Sequence, residues 1–146
     1  MFRKISIILC LSFAFIFCAC KKKNQTVQDN IPYQTVNITI YPNDPLYFRI
    51  QSIGGWVYLN GGVNGIIVYR KTQQDFVALE RTSTQLPDDS YAAVKVQADN
   101  FTLKDSISGS KWQITDGTVL LGPANKSLRL YSTLYDSGTG ALHIKN

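Results

Sequence analysis

Residues 54–85 read GGWVYLNGGVNGIIVYRKTQQDFVALERTSTQ. Trp56 to Leu59, Ile66 to Arg70 and Phe76 to Glu80 are short runs rich in β-branched and aromatic residues. Such runs fit a pleated surface with at least one buried face. The first two are separated by Asn60-Gly61-Gly62-Val63-Asn64-Gly65. Asn-Gly-type turns packed this closely predict a hairpin. The third run ends in a short polar loop, Arg81-Thr82-Ser83-Thr84-Gln85. Three strands in series therefore organise the chain, and the loop that follows them carries the functional question.

Outward from this stretch the pattern holds. Val36 to Ile40 alternates apolar and polar residues, as a half-buried strand does. Pro42-Asn43-Asp44-Pro45 breaks it, and Leu46 to Ile50 reads as a second extended piece. Further strands are expected near Ala93 to Gln97 and over Phe101 to Lys104. Lys111 to Thr115 and Thr118 to Leu120 flank Asp116-Gly117, a compact hairpin signal. Leu128 to Tyr135 and Ala141 to Ile144 form a last hairpin around Ser137-Gly138-Thr139-Gly140. No stretch of ten residues has helical apolar spacing, so the expected class is all-β, a sandwich or barrel.

The start of the chain is different. Met1 to Lys4 is short and basic, and Ile5 to Phe17 is a 13-residue apolar run. Spanning a bilayer takes roughly 20 residues, so residues 1–19 read as a cleaved export signal. Phe17-Cys18-Ala19-Cys20 resembles a bacterial lipobox, which makes Cys20 the expected lipidated residue. Residues 20–30 then form the lipidated cysteine and a polar tether, and residues 31–146 the domain. Membrane lipid is the expected partner, held through this anchor. The expected localisation is the cell envelope, with the anchor in the outer membrane and the domain facing the periplasm.

The formal charge of +5 belongs mostly to the signal and tether. From Asn30 onward there are ten lysines and arginines against nine aspartates and glutamates. A nucleic-acid surface needs a clustered basic face, and no basic run marks one, so no nucleic-acid partner is expected. Lys21-Lys22-Lys23, beside the lipid, suits either contact with anionic headgroups or simple linker solubility. All three cysteines (Cys10, Cys18 and Cys20) precede the domain. A disulfide framework and a cysteine-ligated metal site within it are thereby excluded.

Several pieces together resemble the Rieske-type iron–sulfur domain, in its Gram-negative lipoprotein branch. They are Gly54-Gly55-Trp56-Val57-Tyr58 with its hairpin, Gly65 to Arg70, Phe76 to Thr82, Gly109-Ser110-Lys111-Trp112, and Gly117 to Ala124 followed by Leu128. The resemblance spans roughly residues 36 to 146. It implies a Rieske-like β-sandwich with a small three-stranded cluster-binding subdomain. The family holds a two-iron, two-sulfur cluster with two cysteines on one iron and two histidines on the other. Its first loop reads Cys-x-His after an Arg-Thr-like approach, where this chain has Ser83-Thr84-Gln85. Its second reads Cys-x-x-His-Gly-Ser, where this chain has Asp105-Ser106-Ile107-Ser108-Gly109-Ser110. The resemblance thus places Ser83 and Asp105 where the thiolates would be, and Gln85 and Ser108 where the imidazoles would be. Neutral hydroxyls and an amide cannot replace those ligands. Loss of the cluster follows, and the replacements are expected to hydrogen-bond one another.

The remaining candidates have ordinary readings. His143, the one histidine, lies between apolar neighbours and so faces the opposite side of its strand, toward solvent. The glycines of 54–65 suit hairpin turns, lacking the Gly-Lys-Ser/Thr of a phosphate loop. Asp88-Asp89, Asp99 and Asp105 lack calcium-loop spacing. The aromatics are expected mostly in the core. Asp105-Ser106-Ile107 resembles an O-glycosylation acceptor of exported proteins. No catalytic, cofactor-binding or metal residue is expected. The expected function is a lipid-anchored, non-enzymatic binding or structural module without redox activity. The alternatives are an iron–sulfur or oxygenase-linked electron-transfer protein, and a hydrolase with an unrecognised site. The sequence does not name a protein or small-molecule partner.

Overall fold

The computed structural model describes residues 30–146. The expected export signal, Cys20 and the tether up to Asp29 lie outside the described residues. Ten strands form two antiparallel sheets. The larger contains β1 (Asn37–Ile40), β2 (Trp56–Leu59), β3 (Ile66–Arg70), β4 (Phe76–Glu80), β9 (Leu130–Asp136) and β10 (Ala141–Lys145). Its spatial order is β1-β10-β9-β4-β3-β2. The smaller has the order β5 (Lys95–Val96), β6 (Thr102–Lys104), β7 (Lys111–Gln113), β8 (Val119–Leu121). The small sheet consists of three three-residue strands plus the two-residue β5 at its edge.

The large sheet is curled. Its edge strands β1 and β2 line the same cleft of about 430 Å³. The tip of the β2–β3 hairpin also reaches β1: a Cβ on Gly61 would stand 2.8 Å from Ile38 Cδ1. Curling encloses one apolar core, with Ile66, Val68, Phe76, Ala78, Tyr131, Leu142 and Ile144 among its buried members. The small sheet packs on the outside of β3 and β4. There Ile67 and Leu79 meet Val94, Leu103, Trp112, Ile114 and Leu128 in a second core. Strand β3 is therefore buried on both faces, which explains its continuous apolar run. Trp112 is fully buried, and its indole N–H donates to the Lys126 carbonyl at 3.0 Å.

One expected strand is a helix. Pro45–Ile50 forms a 3₁₀ segment where the sequence suggests an extended piece. The Asp44 side chain accepts a hydrogen bond from the Leu46 N–H at 2.8 Å, and Pro45 supplies the fixed φ of a first helical turn. The apolar residues that suggest a strand, Leu46 and Phe48, are exposed. The buried Arg70 guanidinium ties this segment to β3. It donates to the carbonyls of Ile50 (3.2 Å), Gln51 (2.9 Å) and Gln73 (2.7 Å).

Candidate functional site

Strand β4 delivers the first loop. Alternation along it points Phe76 and Ala78 into the curled core, and the same parity turns Glu80 inward. Glu80 is completely buried. Its carboxylate accepts hydrogen bonds from the Val63 N–H (2.8 Å), the Asn64 N–H (3.0 Å), the Thr82 N–H (3.0 Å), the Thr82 hydroxyl (2.8 Å) and the Tyr131 hydroxyl (2.6 Å). One acid therefore joins the β2–β3 turn, the start of loop 81–85 and strand β9. Burial pushes the Glu80 carboxyl up, but the Tyr131 hydroxyl and the N–H groups of Val63 and Asn64 outweigh it and hold it below the usual range. Burial and the neighbouring Glu80 charge push the Tyr131 phenol above its ordinary value. Gly62 makes room for this arrangement: with φ of +62°, a Cβ there would stand 2.2 Å from Glu80 Oε2.

Beyond Thr82 the two loops singled out in the sequence meet. Ser83 and Asp105 are both fully buried, and the Ser83 hydroxyl donates to Asp105 Oδ2 at 2.8 Å. The Ser108 hydroxyl donates to the same oxygen at 2.7 Å. Asp105 Oδ1 accepts the Ile107 N–H (2.8 Å) and the Ser108 N–H (3.3 Å), which shapes the turn between β6 and β7. Ser110 completes the group, lying 2.9 Å from the Ser108 hydroxyl and accepting the Ala124 N–H at 3.0 Å. Thr84 donates to the Lys126 carbonyl at 2.7 Å. The first loop, the second loop and the turn after β8 are thus stitched by hydroxyls around one carboxylate. No buried side-chain nitrogen or oxygen among the described residues lacks a partner.

Three of the four positions that the resemblance matched to ligands come together: Ser83, Asp105 and Ser108. The Gln85 side chain is outside this network, although its N–H donates to Ser83 Oγ at 3.3 Å. The donor set offers hydroxyls and a single carboxylate, already engaged with each other. A two-iron, two-sulfur cluster needs thiolates and imidazoles, so these residues do not fit one. Glu80 and Ser110 escaped the sequence reading. The parity of Glu80 with Phe76 and Ala78 was the signal that could have found it.

The other candidates are dispersed. His143 is exposed on the outer face of β10, and its Nδ1 lies 2.9 Å from the Thr39 hydroxyl. Both groups are solvent-facing, and among the described residues no carboxylate hydrogen-bonds the ring to act as the third member of a triad. Ser106 is exposed at the β6–β7 turn. Among the described residues no three histidines, cysteines or acids gather as metal ligands. Of the aromatics, Trp112 and Tyr131 are core residues, while Tyr33, Tyr41 and Tyr91 are exposed. Two smaller cavities, beside Phe76 and Tyr135 and beside Arg49 and Trp56, contain no residue of either loop.

No known family profile matches the chain, and no curated protein does. Among solved structures it is similar to a protein assigned as the small subunit of an NADH-dependent nitrite reductase of Mycobacterium tuberculosis. The two share 15% identity with a TM-score of 0.46, over 78% of this chain and 97% of the other.

Proposed function

We propose that this protein is a lipid-anchored component of the cell envelope whose β-domain is a non-redox binding or bracing module. One observation carries the non-redox part: the hydrogen bond from Ser83 to Asp105, buried where the Rieske resemblance places a cluster. A domain with no cysteine and a single, distant histidine cannot complete the ligand set of that cluster. Hydroxyl and carboxylate groups instead close the two loops on each other. The module then offers surface rather than electrons, on a scaffold whose fold outlives the chemistry.

The test is iron and acid-labile sulfide in the purified full chain, with its visible spectrum. A colourless protein with neither is expected. A coloured preparation with stoichiometric iron and sulfide would overturn the reading. The anchor is tested separately. Labelled palmitate should enter the wild-type protein and be absent from Cys20→Ala; equal incorporation would remove the lipidation at Cys20.

A further inference from the structure

The small sheet carries an unusual row. Lys95 on β5 pairs with Lys104 on β6, and Lys104 pairs with Lys111 on β7. All three lie on the face opposite Leu103 and Trp112, which point into the core. Directly opposed cross-strand residues have Cβ atoms about 5 Å apart, and like charges there repel. The described residues provide no relief. None of the three ammonium groups has an ion-pair partner among them, and Asp105, next to Lys104, spends its carboxylate inside the loop network. The domain as a whole is nearly balanced in charge, so the row is a local concentration.

Apolar residues continue it. Leu121 pairs with Lys111 at the end of the row, Leu120 bulges out beside it, and Ile107 tips the turn joining Lys104 to Lys111. All three are about half exposed. None of the cavities described above reaches this face.

We propose that this row is where the domain lies against an anionic lipid surface, the ammonium groups meeting headgroups and the three apolar side chains entering between them. The proposal rests on the lipid anchor at Cys20. Ten residues from Cys20 to Asn30 reach at most about 35 Å, so an anchored domain never leaves the bilayer. The described chain begins near the other end of β7 from the row, a separation of about 10 Å for a three-residue strand, which the tether's reach covers. Arg129 holds the carbonyls of Ile31 and Pro32, and the adjacent Leu128 N–H donates to Gly117 in the β7–β8 turn of the small sheet.

The experiment uses the full lipidated chain on vesicles of phosphatidylcholine alone, or of phosphatidylcholine mixed equally with phosphatidylglycerol. Amine-reactive labelling is read residue by residue by mass spectrometry, with Lys71 as the distant reference. On the anionic vesicles, labelling of Lys104 and Lys111 relative to Lys71 is expected to fall by roughly fivefold, the factor one headgroup contact supplies. Molar salt is expected to restore it, because surface charges are screened. In Lys104→Gln the protection of Lys95 and Lys111 is expected to weaken. Equal labelling on both vesicles, with the protein retained on both, overturns the docking but leaves the anchor intact. Failure to be retained on either vesicle overturns the anchor, and the docking with it. Protection by soluble polyglutamate but not by the anionic vesicle would assign the row to an acidic protein and overturn the lipid proposal.

Discussion

Glu80→Ala is expected to destabilise the domain by about 4 kcal/mol, measured as a shift of the urea midpoint with unchanged slope. The estimate follows from what the substitution leaves behind. Five hydrogen bonds converge on a carboxylate with no solvent exposure. Removing the acceptor leaves three peptide N–H groups and the Tyr131 and Thr82 hydroxyls without it, each costing about 1–3 kcal/mol if it finds no substitute. Water entering the vacated space recovers part of this, which is why the sum is not expected in full. Since domains are stable by only about 5–15 kcal/mol, a loss of this size leaves a marginal fold. Glu80→Gln keeps the shape but turns an amide donor toward N–H donors, and an intermediate loss of about 2 kcal/mol is expected.

The same residue sets a pH dependence. Its carboxyl is held below its ordinary value of 4.5 in the folded chain. The unfolded chain therefore binds this proton more readily than the folded one. The stabilisation is complete above the ordinary value and is lost as pH falls from there through the lowered one. Wild-type stability should decline in that acid window, and Glu80→Gln should show a shallower decline there. Equal acid profiles in the two proteins would refute this assignment.

Glu80 also marks where sequence reading stops. Strands β2, β3 and β4 were legible because the β2–β3 turn is rich in glycine and asparagine, the β3–β4 link from Lys71 to Asp75 is wholly polar, and their apolar runs are uninterrupted. The register that buries Glu80 was equally written in the parity of Phe76 and Ala78. A charged residue at a strand end nevertheless reads as the edge of the loop. Only the turn at Val63 and Asn64 folding back onto it, with Tyr131 from a strand 51 positions away, makes the inward position tenable. The Pro45–Ile50 segment failed for the opposite reason. Leu46 and Phe48 are exposed and Ile50 alone is fully buried, so hydrophobicity suggested a strand where local capping decided a helix.

The lysine row shows a third kind of gap. Lys95, Lys104 and Lys111 are seven or more residues apart and form no charge run. They become neighbours only through the register of three strands. Charge counting gave a nearly neutral domain, and that count stands; it contains no information on which cations pair across a sheet. The joining of Ser83 to Asp105 was anticipated because the resemblance placed both at one site. Which residue would anchor the network was not, since sequence gives no ranking among small polar groups.

That ranking yields the second large effect. Asp105→Ala is expected to cost about 3 kcal/mol and Ser83→Ala about 1 kcal/mol, because the carboxylate accepts four hydrogen bonds and the serine hydroxyl donates only one of them. The double variant should cost less than the two added together, with a coupling of about 1 kcal/mol for a contact this direct. Hydrogen exchange at the Ile107 and Ser108 amides should accelerate in Asp105→Ala and stay nearly unchanged in Ser83→Ala, since those amides bond the carboxylate itself. A strong iron chelator should leave the urea midpoint of the wild type where it was. The pairing of these results is what matters. If a carboxylate and hydroxyls brace the loops, stability depends on Asp105 and is indifferent to chelation. If the loops instead hold a metal group, chelation lowers the midpoint and amide exchange at Ile107 rises with it in the unmutated protein. A neutral Asp105→Ala together with a chelator-sensitive wild type would overturn the bracing role and the non-redox reading at once.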